Sequence, residues 1–237
     1  MRSLRVRPRP GGTHYPRGMT QPSQYGPVEL IAPRIDEDAV VRSEPATSDK
    51  PLVLLLHGLG SHENDLAGLV PHLPADFAYA SLRGIHRYVQ GYAWFEMPVD
   101  PANTSSVDTS AAAVEEWIAA QSVPVAGAIG FSQGGLLALH LLRRDPHALD
   151  FVVNLSGRPF PAPLPGDAAL AAVRPPALWG HGGLDPLFDA ETEDLTRQFM
   201  SAHLRLEEER RPYLGHAVDE VELRAIAAFL QRQAGAS

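Results

Sequence analysis

Uninterrupted apolar runs alternate along this chain with stretches in which apolar residues recur every three or four positions. Pro51-Leu52-Val53-Leu54-Leu55-Leu56-His57 is such a run, as expected of a strand covered on both faces. Val123–Ile129, Phe151–Leu155 and Ala177–His181 repeat the mark, and Phe77–Leu82 reads as another strand. Helical spacing predicts helices over Val107–Ala120, with Val114, Trp117 and Ile118 facing inward, and over Gly135–Arg144, Ala190–Ala202 and Val218–Gln231. Asn64 or Asp65 caps a shorter helix through Leu66, Leu69 and Val70 that ends near Pro71 to Pro74. Val28–Ala32 and Ala39–Val41 read as short strands around an acidic turn, and His203–Glu209 as the last strand. Gly91–Phe95 falls in a loop-rich section, and the Pro-rich stretch Arg158–Gly166 reads as a surface loop. Strands alternating with helices predict an α/β fold, a mostly parallel central sheet with helices on both faces. In such sheets, sites collect at the C-terminal ends of the strands.

One junction stands out within this pattern. Gly130-Phe131-Ser132-Gln133-Gly134 lies between a β-branched apolar run and an apolar helix. A G-x-S-x-G in a strand–turn–helix setting is the nucleophile elbow of an α/β-hydrolase. The turn is so tight that only glycine tolerates the approach of strand and helix on either side of the serine.

Composition narrows the class. The 237 residues are 44% hydrophobic and carry a net charge of −8, and no window approaches the ~18 apolar residues of a membrane span. Five arginines precede Met19, so the remainder is more acidic still, which argues against a nucleic-acid partner. Residues 1–26 are expected to be a disordered basic leader, and 27–237 a single α/β-hydrolase domain. No apolar segment follows the arginines, so a secretory signal is not expected. A cytoplasmic monomer or homodimer without membrane insertion is the expectation. The chain has no cysteine, which removes disulfides, thiolate metal sites and a cysteine nucleophile together.

A serine hydroxyl needs a base to take its proton, and the base needs a carboxylate to fix its tautomer. In α/β-hydrolases the order along the chain is Ser, acid, His. Asp185 in Gly180-His181-Gly182-Gly183-Leu184-Asp185-Pro186 directly follows a predicted strand. Its rivals lie less well: Asp167 in the Pro-rich loop, Asp189 and Asp194 on a predicted helix. His216 falls between the last strand and the last helix, whereas His181 lies inside the acid loop and His203 opens a strand. The remaining histidines apart from His57 (His14, His62, His72, His86, His140, His147) read as surface or helix residues. The oxyanion needs two N–H donors. Gln133, after the nucleophile, supplies one, and Leu59 in His57-Gly58-Leu59-Gly60 the other, with Gly58 as the alternative. His57 reads as a residue bonding within that loop. His62-Glu63-Asn64-Asp65 is not a zinc motif, because no second histidine follows on the same helical face, and Ser156 reads as structural.

These residues resemble the phospholipase/carboxylesterase family of small α/β-hydrolases, which includes acyl-protein thioesterases. The resemblance runs from about Val28 to Leu230. It rests on Leu56–Gly60 with Glu63 and Asp65, on Gly91-Tyr92-Ala93-Trp94-Phe95, on Gly130–Gly135, and on His181–Pro186 with Gly215-His216 and Glu220. It implies cofactor-free hydrolysis of carboxylic esters or thioesters, with Ser132, Asp185 and His216 as triad and Leu59 and Gln133 as oxyanion donors. Trp94, Phe95 and Phe188 are expected at the acyl pocket, with core packing the alternative for the first two. Ser61, Phe188 and the Arg158–Gly166 loop depart from the family pattern, which bears on acyl preference more than on mechanism.

Overall fold

Alternate residues of one strand feed two separate cores. In β3 (Leu52–Leu56), Leu52, Leu54 and Leu56 join one hydrophobic cluster, while Val53 and Leu55 join another on the opposite face. All five are buried, each worth roughly 1.5–3 kcal/mol. Only a sheet covered on both sides can use such a strand.

The computed structural model describes residues 25–45 and 47–235. Before β3 come β1 (Val28–Leu30) and β2 (Val41–Arg42). After it follow α1 (Asn64–Ala67), β4 (Ala78–Leu82), β5 (His86–Tyr88), β6 (Gly91–Ala93), α2 (Ser105–Ala119), β7 (Val125–Phe131) and α3 (Gln133–Arg144). The chain continues through β8 (Phe151–Leu155), α4 (Asp167–Val173), β9 (Pro176–Gly182), α5 (Ala190–His203), β10 (Arg205–Arg211) and α6 (Glu220–Ala234). The main sheet has seven strands in the order β10-β9-β8-β7-β3-β4-β2, parallel except for β2 at its edge. Helices α2, α3, α4 and α5 bury Val114, Leu137, Leu170 and Met200 on one face, and α1 and α6 bury Leu66 and Phe229 on the other. Among the described residues no helix is long and apolar enough to cross a membrane.

Several expectations need correction. Glu37–Ala39 forms a 3-10 turn, leaving only Val41–Arg42 to pair with Ala80–Ser81. The Glu37 carboxylate accepts from Trp117 Nε1 at 2.6 Å and from Arg42 at 2.7 Å, which ties this exposed acidic segment to α2 and β2. Gly91–Phe95 is not all loop: β6 pairs with β5, which pairs with β1 in a small antiparallel sheet. Its two-residue turn, Val89-Gln90, has φ +52° at Val89 and lacks the Asn-Gly or Asp-Gly signature of such turns. Helix α4 lies beyond the expected loop. His203 ends α5 instead of opening a strand, with its Nδ1 against the Phe199 carbonyl at 2.7 Å. His181 lies in β9, within the expected strand and not in the acid loop, buried and stacked on Trp179; His140 is on a helix as read, but buried, and His86 is a buried strand residue. The expected leader falls outside the described residues up to residue 24. Of its end, Gly26 N–H donates to Tyr88 Oη at 3.4 Å.

Glu222, on the first turn of α6, is an expensive residue. It is 1% exposed, and neither carboxyl oxygen has a hydrogen-bond partner. Burial pushes its pKa from the ordinary 4.5 up to about 7; the backbone of Asp219 and the charge of Arg211 pull the other way, and the charges of Asp219 and Glu209 add repulsion. The folded state therefore holds this proton more tightly than the unfolded one, and its contribution to stability is lost as pH rises from about 4.5 to about 7. Glu222→Gln keeps the volume without the charge. It is expected to change the thermal midpoint little at pH 5 and to raise it at pH 8, where the stability gained is up to about 3 kcal/mol. Calorimetry at the two pH values checks this; equal shifts at both would refute a buried charge as the cause.

Candidate active site

β7 ends at Phe131 and α3 begins at Gln133, so Ser132 alone makes the turn. Its backbone is forced to φ +52°, ψ −110°, a conformation costing roughly 1–3 kcal/mol that neighbouring contacts must hold. Ser132 N–H donates to the Leu155 carbonyl at 2.7 Å, tying the turn to β8. A Cβ at Gly130 would fall on the Gly134 carbonyl, and one at Gly134 on the Leu56 carbonyl. The two glycines are thus required by contact. The result aims the Ser132 side chain and the positive end of α3 at one point above the sheet.

Asp185 and His216 come from the loops after β9 and β10. Leu184 N–H donates to the Leu214 carbonyl at 2.9 Å, and Gly183 N–H to the Arg211 carbonyl at 2.8 Å, so the loops are fastened together. The Asp185 carboxyl is fully buried: Oδ1 accepts from Leu187 N–H at 2.9 Å and Oδ2 lies 2.6 Å from His216 Nδ1. A carboxylate there assigns the ring proton to Nδ1 and leaves Nε2 as acceptor. The His216 ring rests on Phe131, centroids 4.8 Å apart. His216 and Ser132 border the same cavity, of about 580 Å³.

The loop after β3 also contributes to the cavity wall. Leu59 and Gly58 border the cavity, as does Gln133. His57 is fully buried and bonds within this loop as expected: Nδ1 donates to the Gly58 carbonyl at 2.8 Å, while Nε2 accepts from Gly84 N–H at 3.0 Å. Burial pushes its pKa down, which keeps the ring neutral and suited to that donor–acceptor pattern. Arg83 braces the same loop by a two-pronged bond to Glu63, at 2.8 and 2.6 Å, and holds the Glu63 carboxyl down to about 2.

Phe95 and Phe188 line the cavity, with Met97, Val99 and Leu136. Trp94 does not. It is fully buried, and its Nε1–H donates to the His57 carbonyl at 2.9 Å, so it supports the loop after β3. Of the two readings for Trp94, packing is the one its position fits. The Gln133 side chain has a part that sequence reasoning missed. Its Oε1 accepts from Trp94 N–H at 2.7 Å and its Nε2 donates to the Phe95 carbonyl at 2.8 Å. A glutamine opening an otherwise apolar helix was the available signal. Ser156, read as structural, also borders the cavity, with φ +49°.

Two other features lie apart from this site. A larger recess of about 780 Å³ between α2 and α3 contains His140, Arg143 and Arg144. Its charges are already paired: Arg143 with Asp167, Arg144 with Asp108 and Glu115, His140 with Asp108. Ligand atoms of His181, Glu193 and Glu208 lie within 4.8 Å of one another, a spacing open to a metal ion. Arg197 binds both carboxylates there, at 2.7 and 2.8 Å, and Arg210 binds Glu193 at 2.8 Å. The arginines supply the positive charge a cation would bring.

Comparisons with known proteins bear on the family and the fold. The family described as Phospholipase/Carboxylesterase matches residues 37–234. NocK of Nocardia uniformis subsp. tsuyamanensis is 33% identical over 149 residues, 58% of this chain and 41% of NocK. This chain thus spans less than half the length of that relative. The carboxylesterase SOBER1 of Arabidopsis thaliana is 26% identical over 212 residues, 78% of this chain and 91% of SOBER1. The crystal structure of Zea mays acyl-protein thioesterase 2 superposes with a TM-score of 0.67 at 19% identity, covering 83% of this chain and 99% of that one. This last likeness is one of fold. The matched span contains the elbow, the loop after β3 and the two loops that bring Asp185 to His216, and the chain belongs to the phospholipase/carboxylesterase family of α/β-hydrolases.

Proposed function

We propose that the protein is a serine carboxylesterase that acts through a covalent acyl-enzyme on Ser132. The observation that carries this reading is the 2.6 Å bond between His216 Nδ1 and the buried Asp185, with His216 bordering the same cavity as the elbow serine. His216 Nε2 takes the Ser132 proton as Oγ bonds to the ester carbonyl carbon. The carbonyl oxygen becomes an oxyanion, met by the N–H groups of Leu59 and Gln133 and by the dipole of α3. His216 then gives the proton to the leaving oxygen as the carbon–oxygen bond breaks. Water repeats the sequence, releasing the acid and restoring Ser132. Asp185 stays ionised throughout and stabilises the imidazolium. A thioester could be cleaved by the same steps, since the acyl-enzyme is common to both. Small-molecule esters are the substrates in this reading.

Ser132→Ala is expected to lower kcat for a p-nitrophenyl acyl ester by at least about 10³-fold with the fold intact. Near-wild-type turnover by the folded variant would end the proposal. Asp185→Asn is expected to cost roughly 10³–10⁴-fold in kcat, because an amide facing Nδ1 no longer enforces the tautomer. A loss below about tenfold would remove Asp185 from this role.

Gln133→Leu keeps the backbone N–H but leaves the buried Trp94 N–H and Phe95 carbonyl without partners, at about 1–3 kcal/mol each. A lowered thermal midpoint together with a loss of about tenfold or more in kcat/KM is expected. Loss of stability with kcat/KM unchanged would limit the side chain to packing.

A further inference from the structure

Arg158 lines the active-site cavity with an unspent charge. It follows the Ser156-Gly157 pair just past the end of β8 and is exposed. Among the described residues its guanidinium has no hydrogen-bond or ion-pair partner. The opposite charge that acts on it is Asp189, whose exposed carboxylate already accepts from Thr192 N–H at 2.8 Å as the cap of α5. Hydrogen bonding from the Thr192 side chain and backbone, with a smaller share from Arg158, holds Asp189 below the usual carboxylate range. The contrast with Arg143 is direct: that arginine is buried and makes two bonds to Asp167, at 2.7 and 2.8 Å, and two to the carbonyls of Phe160 and Ala162.

The segment carrying Arg158 is held from both sides. Asn154 Nδ2 donates to the Gly157 carbonyl at 2.8 Å, and Arg143 Nη1 to the Phe160 carbonyl at 2.8 Å. The backbone is therefore fixed while the side chain keeps all five donors for a ligand. A guanidinium at the wall of a largely apolar cavity suits a carboxylate, which its planar fork can bind through two parallel bonds. Asp65 is the acidic side chain lining the same cavity, and it already accepts from Ser61 Oγ at 2.5 Å.

The side of the cavity follows from the cores beneath it. His216 rests on Phe131, which packs on the α6-side cluster. Phe95, Leu136 and Phe188 belong to or pack on the cluster on the α3 and α5 side, as does Phe160, two residues beyond Arg158. His216 must protonate the leaving oxygen, so the leaving group lies on its side. The acyl chain then runs over Phe95, Leu136 and Phe188 towards Arg158.

We infer that Arg158 binds a carboxylate carried on the acyl group, which makes monoesters of dicarboxylic acids the preferred substrate class. This rests on the serine-esterase reading above. The p-nitrophenyl monoester of adipic acid and p-nitrophenyl hexanoate have acyl chains of equal length and differ in the terminal carboxylate. The readout is the ratio of their kcat/KM values, with the hexanoate absorbing any general damage to the enzyme. Arg158→Gln is expected to lower the adipate-to-hexanoate ratio by about tenfold or more, and Arg158→Lys to retain part of it. Added salt is expected to lower the wild-type ratio and leave that of Arg158→Gln nearly flat. A ratio unmoved by Arg158→Gln overturns the proposal. So does an effect confined to a second pair, 3-carboxyphenyl and phenyl hexanoate, where the charge sits on the leaving group. If Ser132→Ala still turned over the hexanoate, the esterase reading would fail instead, a result distinguishable from any change in the ratio.

Discussion

At Gly134 the first turn of α3 presses on the Leu56 carbonyl at the end of β3, and nothing larger than a hydrogen fits between them. The site depends on that contact. It places the start of α3, with the Gln133 N–H, beside the loop that carries Leu59. It also leaves Ser132 as the single residue linking β7 to α3, which drives its backbone to positive φ. A helix start standing farther from the sheet would relax the serine and separate the Gln133 N–H from the loop that carries Leu59. The cost is met by the buried strands on either side, whose residues divide between two cores.

Around this contact the site is fastened by polar bonds between distant segments. Neutral His57 ties the loop after β3 to Gly84, Trp94 holds the same loop through the His57 carbonyl, and Gln133 ties α3 to Trp94 and Phe95. On the other side, backbone bonds between the loops after β9 and β10 carry Asp185 to His216. Each fastening involves a buried polar group with a definite partner, an arrangement that favours one geometry over near alternatives. Glu222 lies beneath the same end of the sheet without such a partner, and burial raises its pKa accordingly.

Much of this was legible in the sequence because it depends on local pattern. Continuous apolar runs marked β3, β7, β8 and β9. The glycines around Ser132 marked the elbow, and chain order brought forward Asp185 and His216, which the fold places 2.6 Å apart. What escaped depends on contacts between distant segments. The β5–β6 hairpin turns through Val89 and Gln90, residues without turn chemistry. The burial of His86, His140 and His181, and the partners of the Gln133 side chain, are set by packing that no periodicity encodes. Arg158 could have been noticed, since it stands just past the C-terminal end of a strand where sites gather. Its lack of a partner among the described residues could not.

The central claim is that Ser132 is the residue acylated during turnover. Mass spectrometry of the protein treated with a fluorophosphonate tests it most directly. The account predicts one adduct per chain, carried by the peptide containing Ser132 and greatly slowed in His216→Ala. An adduct on another residue, or none on folded protein that still hydrolyses esters, would contradict it.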